Sequence, residues 1–119
     1  MQSFEPNHEN FKRPAPRTGE LVTVGRAEDV PEGRAATVEI KGGRELALFH
    51  AGGRFYAVDN FCPHRGAPLA EGPLSGTTVE CDWHGWRFDL RTGACLNRPD
   101  SPVATYEVVV EDGWLKIRV

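Results

Sequence analysis

Residues 62–86 read CPHRGAPLAEGPLSGTTVECDWHGW and contain two short motifs that each combine a cysteine with a histidine. The first is CPH (62–64) and the second is CDWH (81–84), with 16 residues between them. Thiolate and imidazole groups bind iron, zinc and copper, so two such pairs predict a metal site with four protein ligands. The candidate ligands are Cys62, His64, Cys81 and His84.

Two kinds of metal centre compete for this pattern. Zinc fingers typically keep their two cysteines together and their two histidines together, with two or more residues between the ligands of a pair. Here each motif mixes the two ligand types, which favours a binuclear centre with the cysteines on one iron and the histidines on the other. That arrangement is the ligand set of a Rieske centre. A zinc site and a motif that no longer binds metal remain the alternatives.

The segment ATVEIKGGRELALFHAGGRFYAVDN (36–60) shows three alternating apolar runs of the kind that form short β-strands. Gly42-Gly43 and Gly52-Gly53 separate these runs. Glycine pairs between alternating runs favour two-residue hairpins, because primed turns need positive φ. The segment therefore predicts a three-strand antiparallel meander.

The segment TYEVVVEDGWLKIRV (105–119) predicts a second hairpin that turns at Asp112-Gly113. Tyr106, Val108 and Val110 would share one face of its first strand. No segment shows an apolar helix period over three turns, and PLAEG (68–72) forms at most one turn. The sequence thus predicts an all-β antiparallel fold, in which the cysteine-bearing middle consists of loops between two hairpin-rich ends.

The texts CPHRGAPLAEG and CDWHGWRFDLRTG resemble the Rieske iron–sulfur family, and specifically the small ferredoxins of bacterial ring-hydroxylating oxygenase systems. The resemblance covers about residues 20–119. It implies a Rieske fold, with an antiparallel β-sandwich base and a smaller, loop-rich subdomain. That subdomain would bind one [2Fe-2S] cluster through Cys62, His64, Cys81 and His84. One position departs from the family pattern: Asp82 stands where proline is usual, and its carboxylate should lower the reduction potential slightly.

Other positions within the resemblance indicate a low-potential centre. High-potential Rieske proteins have an extra cysteine in each loop, joined as a disulfide, whereas this chain has Ala67 and Trp83 there. Those proteins also place Ser and Tyr hydroxyls near the sulfurs, where this chain has Trp86 and Phe88. Because hydrogen bonds to sulfur stabilise the reduced state, their absence lowers the potential toward the bottom of the Rieske range, about −150 to +300 mV.

Composition limits the classes of partner and the cellular compartment that the sequence allows. The 119 residues carry a net charge of −3 with no basic stripe, which argues against nucleic acid as a partner. No apolar run approaches the roughly 20 residues that span a bilayer, and MQSFEPNHEN does not resemble a secretory signal. An odd number of cysteines, three, argues against a disulfide framework and leaves Cys95 as a small buried hydrophobe or a minor surface thiol. We therefore expect a cytoplasmic protein with no membrane partner.

Residues 1–19 hold three prolines and no periodic pattern, so we expect a flexible tail before a single domain at 20–119. Near the other end, NRPDSPV (97–103) resembles the proline-containing loop that covers the cluster from a third side. Of the two histidines outside the motifs, His8 lies in the tail and His50 is expected to be exposed to solvent.

These features predict a monomeric one-electron carrier that passes electrons from an NAD(P)H-dependent flavin reductase to a terminal oxygenase. The chain would not be an enzyme alone, because a ring-hydroxylating oxygenase also needs a mononuclear iron held by two histidines and a carboxylate. Only His8 and His50 remain for such a site. The alternatives are a small subunit of a reductase, resembling that of NADH-dependent nitrite reductase, and a redox-sensing module.

Overall fold

The computed structural model describes residues 18–40, 43–62, 68–81 and 85–119. Within these ranges the chain forms antiparallel strands and two single turns of 3₁₀ helix, Ala27–Asp29 and Leu69–Glu71. The strands are β1 (Leu21–Arg26), β2 (Ala35–Ile40), β3 (Arg44–Ala51), β4 (Arg54–Asp59), β5 (Leu74–Ser75), β6 (Thr78–Glu80), β7 (Arg87–Asp89), β8 (Thr105–Tyr106), β9 (Val108–Glu111) and β10 (Trp114–Arg118).

The strands form three sheets, with the orders β1-β10-β9, β2-β3-β4-β8 and β5-β6-β7. The first two sheets share one core and form a sandwich. Cys62 follows β4 of the second sheet, and Cys81 follows β6 of the third and smallest sheet. The predicted meander is confirmed as β2-β3-β4. No helix in the described ranges has the length and apolar character required to span a membrane.

Strand β3 explains how one sheet supports both parts of the molecule. Successive side chains of a strand point to opposite faces, and both faces of β3 are buried. Leu46 and Leu48 lie in the sandwich core with Leu115 and Ile117 of β10. Phe49, on the other face, lies in a second core that includes both motif cysteines. The small sheet is therefore mounted directly on the sandwich.

Two hairpin turns have the backbone that the sequence predicts. Gly52 and Gly53 have φ of 62° and 79°, while Asp112 and Gly113 have φ of 54° and 81°. Two successive residues with positive φ are the requirement of a primed turn. The predicted turn at Gly42-Gly43 lies partly outside the described residues.

Two expectations about the strands are wrong. Tyr106 belongs to β8 and pairs with Ala57 of β4, so it does not share a strand with Val108 and Val110. Val108 and Val110 do share a face of β9, as expected, but β9 is a sheet edge and Val110 is 50% exposed. The middle of the chain also contains β5, β6 and β7, where the sequence predicts loops alone.

The two ends of the described domain are joined by backbone hydrogen bonds. The N–H groups of Thr18 and Gly19 donate to the carbonyl of Val119 at 3.0 and 3.1 Å. The N–H of Val119 donates in turn to the carbonyl of Glu20 at 2.8 Å. Apart from Thr18 and Gly19, the predicted tail lies outside the described residues, so the domain boundary at residue 20 stays a prediction.

Candidate metal centre

The two motif cysteines lie at matching places, each directly after a strand or its extension. We call residues 60–62 with 68–70 the first stem, and residues 79–81 with 85–87 the second stem. Cys62 is the last residue of the N-terminal segment of the first stem (60–62). Cys81 is the last residue of the N-terminal segment of the second stem (79–81). Their exposed fractions are 0% and 1%, and both belong to one apolar core.

The first stem is held by the backbone and side chain of Asn60, which is 1% exposed. Its carbonyl accepts from Leu69 N–H at 2.5 Å, and its Oδ1 accepts from Ala70 N–H at 2.9 Å. Its Nδ2 donates to Glu45 Oε1 of β3 at 3.1 Å. An isolated bridge between Phe61 and Pro68 closes the stem. Asn60 therefore ties both halves of the first stem to the sandwich.

The second stem is closed by its own backbone. Cys81 N–H donates to the carbonyl of Trp86 at 2.6 Å, and Gly85 N–H donates to the carbonyl of Cys81 at 2.9 Å. Next to this pair of hydrogen bonds, Glu80 pairs with Arg87 in the β6–β7 ladder. Gly85 has a φ of 73°, a conformation that L side chains rarely adopt. The chain therefore leaves the CDWH motif in a conformation that favours glycine.

A close backbone approach connects the two stems. Gly72 follows the 3₁₀ turn of the first stem, and a Cβ on Gly72 would overlap the carbonyl oxygen of Glu80. Next to this contact, Glu80 N–H donates to the carbonyl of Pro73 at 2.9 Å. The separation of the two cysteine-bearing segments thus depends on a position without a side chain.

The two motif thiols share their core with fully buried apolar side chains. Leu69, Val79 and Phe88 are 0% exposed and lie in the same core as the cysteines. All three cysteines lie among the described residues, and none forms a disulfide. Two buried thiols in one apolar core supply the sulfur half of a Cys₂His₂ donor set and fit an iron–sulfur centre. The imidazole half, His64 and His84, lies outside the described residues.

The remaining predicted residues differ in burial. Cys95 is 3% exposed, as expected for a small buried hydrophobe. Trp86 is half-buried against the core that holds the cysteines. Pro99 and Pro102 are both exposed. The other positions singled out in the sequence lie outside the described residues: His8, Ala67, Asp82 and Trp83.

The expectation that His50 is exposed is wrong, because residues from another segment cover its ring. The side chain is 20% exposed, and its ring stacks on Phe55 with centroids 4.1 Å apart. Nδ1 lies 2.7 Å from the carbonyl oxygen of Val30, and Nε2 lies 3.4 Å from Glu32 Oε1. His50 is therefore part of a packed turn in the sandwich.

Glu32 ties the same turn together. Its carboxylate accepts from the N–H groups of Gly53 at 2.9 Å and Gly52 at 2.6 Å. Both bonds lower the pKa of Glu32 because they stabilise its charged form, and the bond from Gly53 has the larger effect.

Sequence reasoning does not single out Asn60, Gly72 or Asn97, although the segment that begins at Asn97 is predicted to cover the cluster. Asn97 lies in the loop after β7 and bonds the backbone of the second stem. Their roles depend on backbone groups from distant parts of the chain, which no local pattern reveals. The weak signal in the sequence was the position of Asn60, two residues before a motif cysteine.

Comparison with known proteins agrees with this architecture. The Rieske [2Fe-2S] domain family matches residues 20–107. The chain is 40% identical over 102 residues to the p-cumate 2,3-dioxygenase system ferredoxin component of Pseudomonas putida, covering 84% of this chain and 86% of that protein. It is 46% identical over 98 residues to the 3-phenylpropionate/cinnamic acid dioxygenase ferredoxin subunit of Photorhabdus laumondii, covering 81% of this chain and 91% of the relative.

A solved structure of a complex of reduced oxygenase and oxidized ferredoxin, from carbazole 1,9a-dioxygenase, contains a similar chain. Its TM-score is 0.78 at 32% identity, covering 85% of this chain and 94% of that chain.

The three-sheet fold, the two cysteine stems and the family match together show that the chain belongs to the Rieske [2Fe-2S] domain family. Its cofactor is one Rieske [2Fe-2S] cluster. Within the family it is a ferredoxin-type electron carrier, as its relatives among the ferredoxin components of dioxygenase systems indicate.

Proposed function

We propose that this chain passes single electrons from an NAD(P)H-dependent flavin reductase to the terminal oxygenase of an aromatic-ring dioxygenase system. Cys62 and Cys81 would hold one iron, and His64 and His84 the other. The observation that carries the proposal is the burial of both thiols, 0% and 1% exposed, in one apolar core. When bound, the cluster supplies a site that takes up and releases one electron.

The residues around the thiols support a low reduction potential. Leu69, Val79 and Phe88 carry no hydrogen-bonding side-chain group, so none of these three stabilises added negative charge at the sulfurs. Because donors to sulfur favour the reduced state, these three side chains contribute nothing that would raise the reduction potential. All three are fully buried, so they also exclude water from the side of the centre that faces the core.

The choice of partners rests on the relatives. The ferredoxins that this chain resembles are named as components of dioxygenase systems, and one was solved in complex with its oxygenase. The three cysteines without a disulfide suit a compartment that keeps thiols reduced, and we place this exchange in the cytoplasm. A monomer suits a carrier that must meet two different proteins in turn.

The ligand assignment is tested by substituting single cysteines. We expect wild-type protein to contain two iron and two sulfide per chain and to give a Rieske EPR signal after reduction with dithionite. Cys62→Ser should remove that signal. Cys95→Ala is the matched control, since Cys95 is also buried in this core, at 3% exposed, and should keep the signal. Zinc in the wild type, or full iron content in Cys62→Ser, contradicts the assignment.

The electron path is tested with purified partners. NADH and a flavin reductase of an aromatic-dioxygenase system should reduce the holoprotein, and a terminal oxygenase should then reoxidise it. Visible absorption follows both steps, and sedimentation measures the oligomeric state. Co-purification with a reductase at fixed stoichiometry would contradict the free-carrier proposal.

A further inference from the structure

One side chain from the loop after β7 bonds to the second stem on both sides of Trp86. Asn97 Oδ1 accepts from the backbone N–H of Arg87 at 3.0 Å. Asn97 Nδ2 donates to the backbone carbonyl of Gly85 at 3.1 Å. The side-chain amide thus takes the place that a peptide group of a neighbouring strand would have.

The orientation of this amide is fixed by its partners. Arg87 offers an N–H and needs an acceptor, whereas Gly85 offers a carbonyl and needs a donor, so Oδ1 and Nδ2 cannot be exchanged. A leucine at position 97 would have a similar volume but could satisfy neither partner. The contact is therefore specific for a carboxamide of this length.

The residues around Asn97 hold it against the stem. Leu96 N–H donates to the carbonyl of Arg87 at 2.7 Å, and Cys95 pairs with Phe88 in an isolated bridge. Cys95 Sγ lies 3.5 Å from Asn97 Oδ1. The Arg98 guanidinium lies over the Trp86 ring, 5.5 Å from its centroid. Residues 95–98 therefore follow the second stem closely, and Asn97 provides the side-chain hydrogen bonds of this contact.

We infer that Asn97 is a positioning residue for the second cysteine loop, acting on the centre through the backbone of Gly85 and Arg87. The inference rests on the proposed function, in which His84, directly before Gly85, is a ligand. Gly85 has no side chain of its own to anchor it and has a φ of 73°. When the Gly85 carbonyl is held in place, the backbone directly after His84 can adopt fewer conformations, and this restricts the orientation of that ligand.

The test compares wild-type holoprotein with Asn97→Leu. Loss of a residue that orients a ligand typically weakens metal retention 10- to 100-fold, so iron release to a chelator should become at least about tenfold faster. The EPR lines of the reduced protein should broaden, because the loop samples more conformations. A residue with a general structural role alone would not change the line width. Hydrogen exchange at the Arg87 amide should also become faster, since that N–H loses its acceptor.

Thr92→Val provides the matched control. Thr92 Oγ1 accepts from Ala94 N–H at 3.1 Å in an exposed turn that precedes Cys95, so this variant removes a comparable bond away from the stem. Its iron release and EPR lines should match the wild type. If Asn97→Leu does not accumulate, Asn97→Asp keeps the acceptor for Arg87, loses the donor for Gly85, and should release iron at an intermediate rate.

Two failures are distinguishable. A wild-type protein with no Rieske signal overturns the proposed function, and the inference about Asn97 with it. A wild-type signal whose line width and iron release are the same in Asn97→Leu overturns the inference and leaves the proposed function intact.

Discussion

Each stem is held by an asparagine carboxamide that forms hydrogen bonds through both Oδ1 and Nδ2, but the two carboxamides lie in different surroundings. Asn60 is 1% exposed and joins the first stem to β3 of the sandwich. Asn97 is exposed and joins the second stem to a surface loop. A lost hydrogen bond costs more where water cannot replace the missing partner. The first stem is therefore coupled to the stability of the whole domain, and the second is coupled mainly to the local geometry of its loop.

Because Asn60 and Asn97 lie in different surroundings, the stability of the domain and the geometry of the second cysteine loop should depend on different residues. Both stems share the core that includes Phe49 of β3, but the Asn60 side chain of the first stem is also bonded to Glu45 of β3, so the first stem should open only when the domain unfolds. In the second stem Val79 and Cys81 are buried in that core, whereas residues 85–87 are half-buried or exposed and should be able to change conformation at lower cost to the remainder of the chain. Substitution of Asn97 should consequently alter the properties of the centre while leaving the fold intact.

The largest expected effect is that of Asn60→Ala. The substitution leaves Ala70 N–H without its acceptor and Glu45 Oε1 without its donor, and we expect the free energy of unfolding to fall by about 3 kcal/mol. Urea denaturation measures this loss. Asn97→Ala is the comparison variant and should cost less than about 1 kcal/mol, because water can replace the lost partners. If both variants lost the same free energy of unfolding, the proposed difference between the two stems would be wrong.

A smaller loss is expected from Gly72→Ala, which acts on the contact between the stems. The added methyl would overlap the carbonyl oxygen of Glu80, and the resulting backbone shift should cost about 2 kcal/mol in unfolding free energy. Gly25→Ala is the matched control. A Cβ on Gly25 would have no other atom within 4 Å, and its φ is not positive. Thermal unfolding of the two variants would sharpen the comparison, and similar midpoints would contradict it.

The smallest effect should come from Glu32, which lies far from both stems along the chain and supports the turn at Gly52 and Gly53. Its pKa is lowered by the N–H groups of Gly53 and Gly52, so its contribution to stability is complete above the unfolded-state pKa. That contribution is lost as the pH falls through the lower folded-state pKa. Wild type should therefore exceed Glu32→Gln in stability at neutral pH, with the gap closing in acid. A gap that is constant with pH would argue against this role.

The sequence predicts those parts of the molecule whose causes are local. Gly52-Gly53 and Asp112-Gly113 form primed turns because their own residues permit positive φ. Cys62 and Cys81 were predicted as ligands from their motifs, and the structure buries both in one core. The identity of all four ligands remains a prediction, since His64 and His84 lie outside the described residues.

The features that were missed depend on contacts between distant segments. Strands β5 and β6 have two and three residues, too few to show an alternating pattern. His50 appeared exposed because Val30 and Glu32, which cover it, lie about 20 residues earlier. Val110 has the correct face but lies in an edge strand, and the edge is set by the pairing of β1 with β10. Such pairings follow from the packing of the whole domain.

The hydrogen bonds from Thr18 and Gly19 to Val119 suggest that the order of the strands along the sequence could be changed without changing the fold. Because the two ends of the domain already touch, a short peptide could link them without disturbing either strand. New ends could then be opened at the exposed Gly52-Gly53 turn, where the cut would disturb the hydrogen bonds to Glu32 but no sheet pairing beyond the turn. Such a circular permutant would keep every sheet neighbour while placing its termini at a different surface. An electron carrier of this kind could be fused to another protein through either pair of ends.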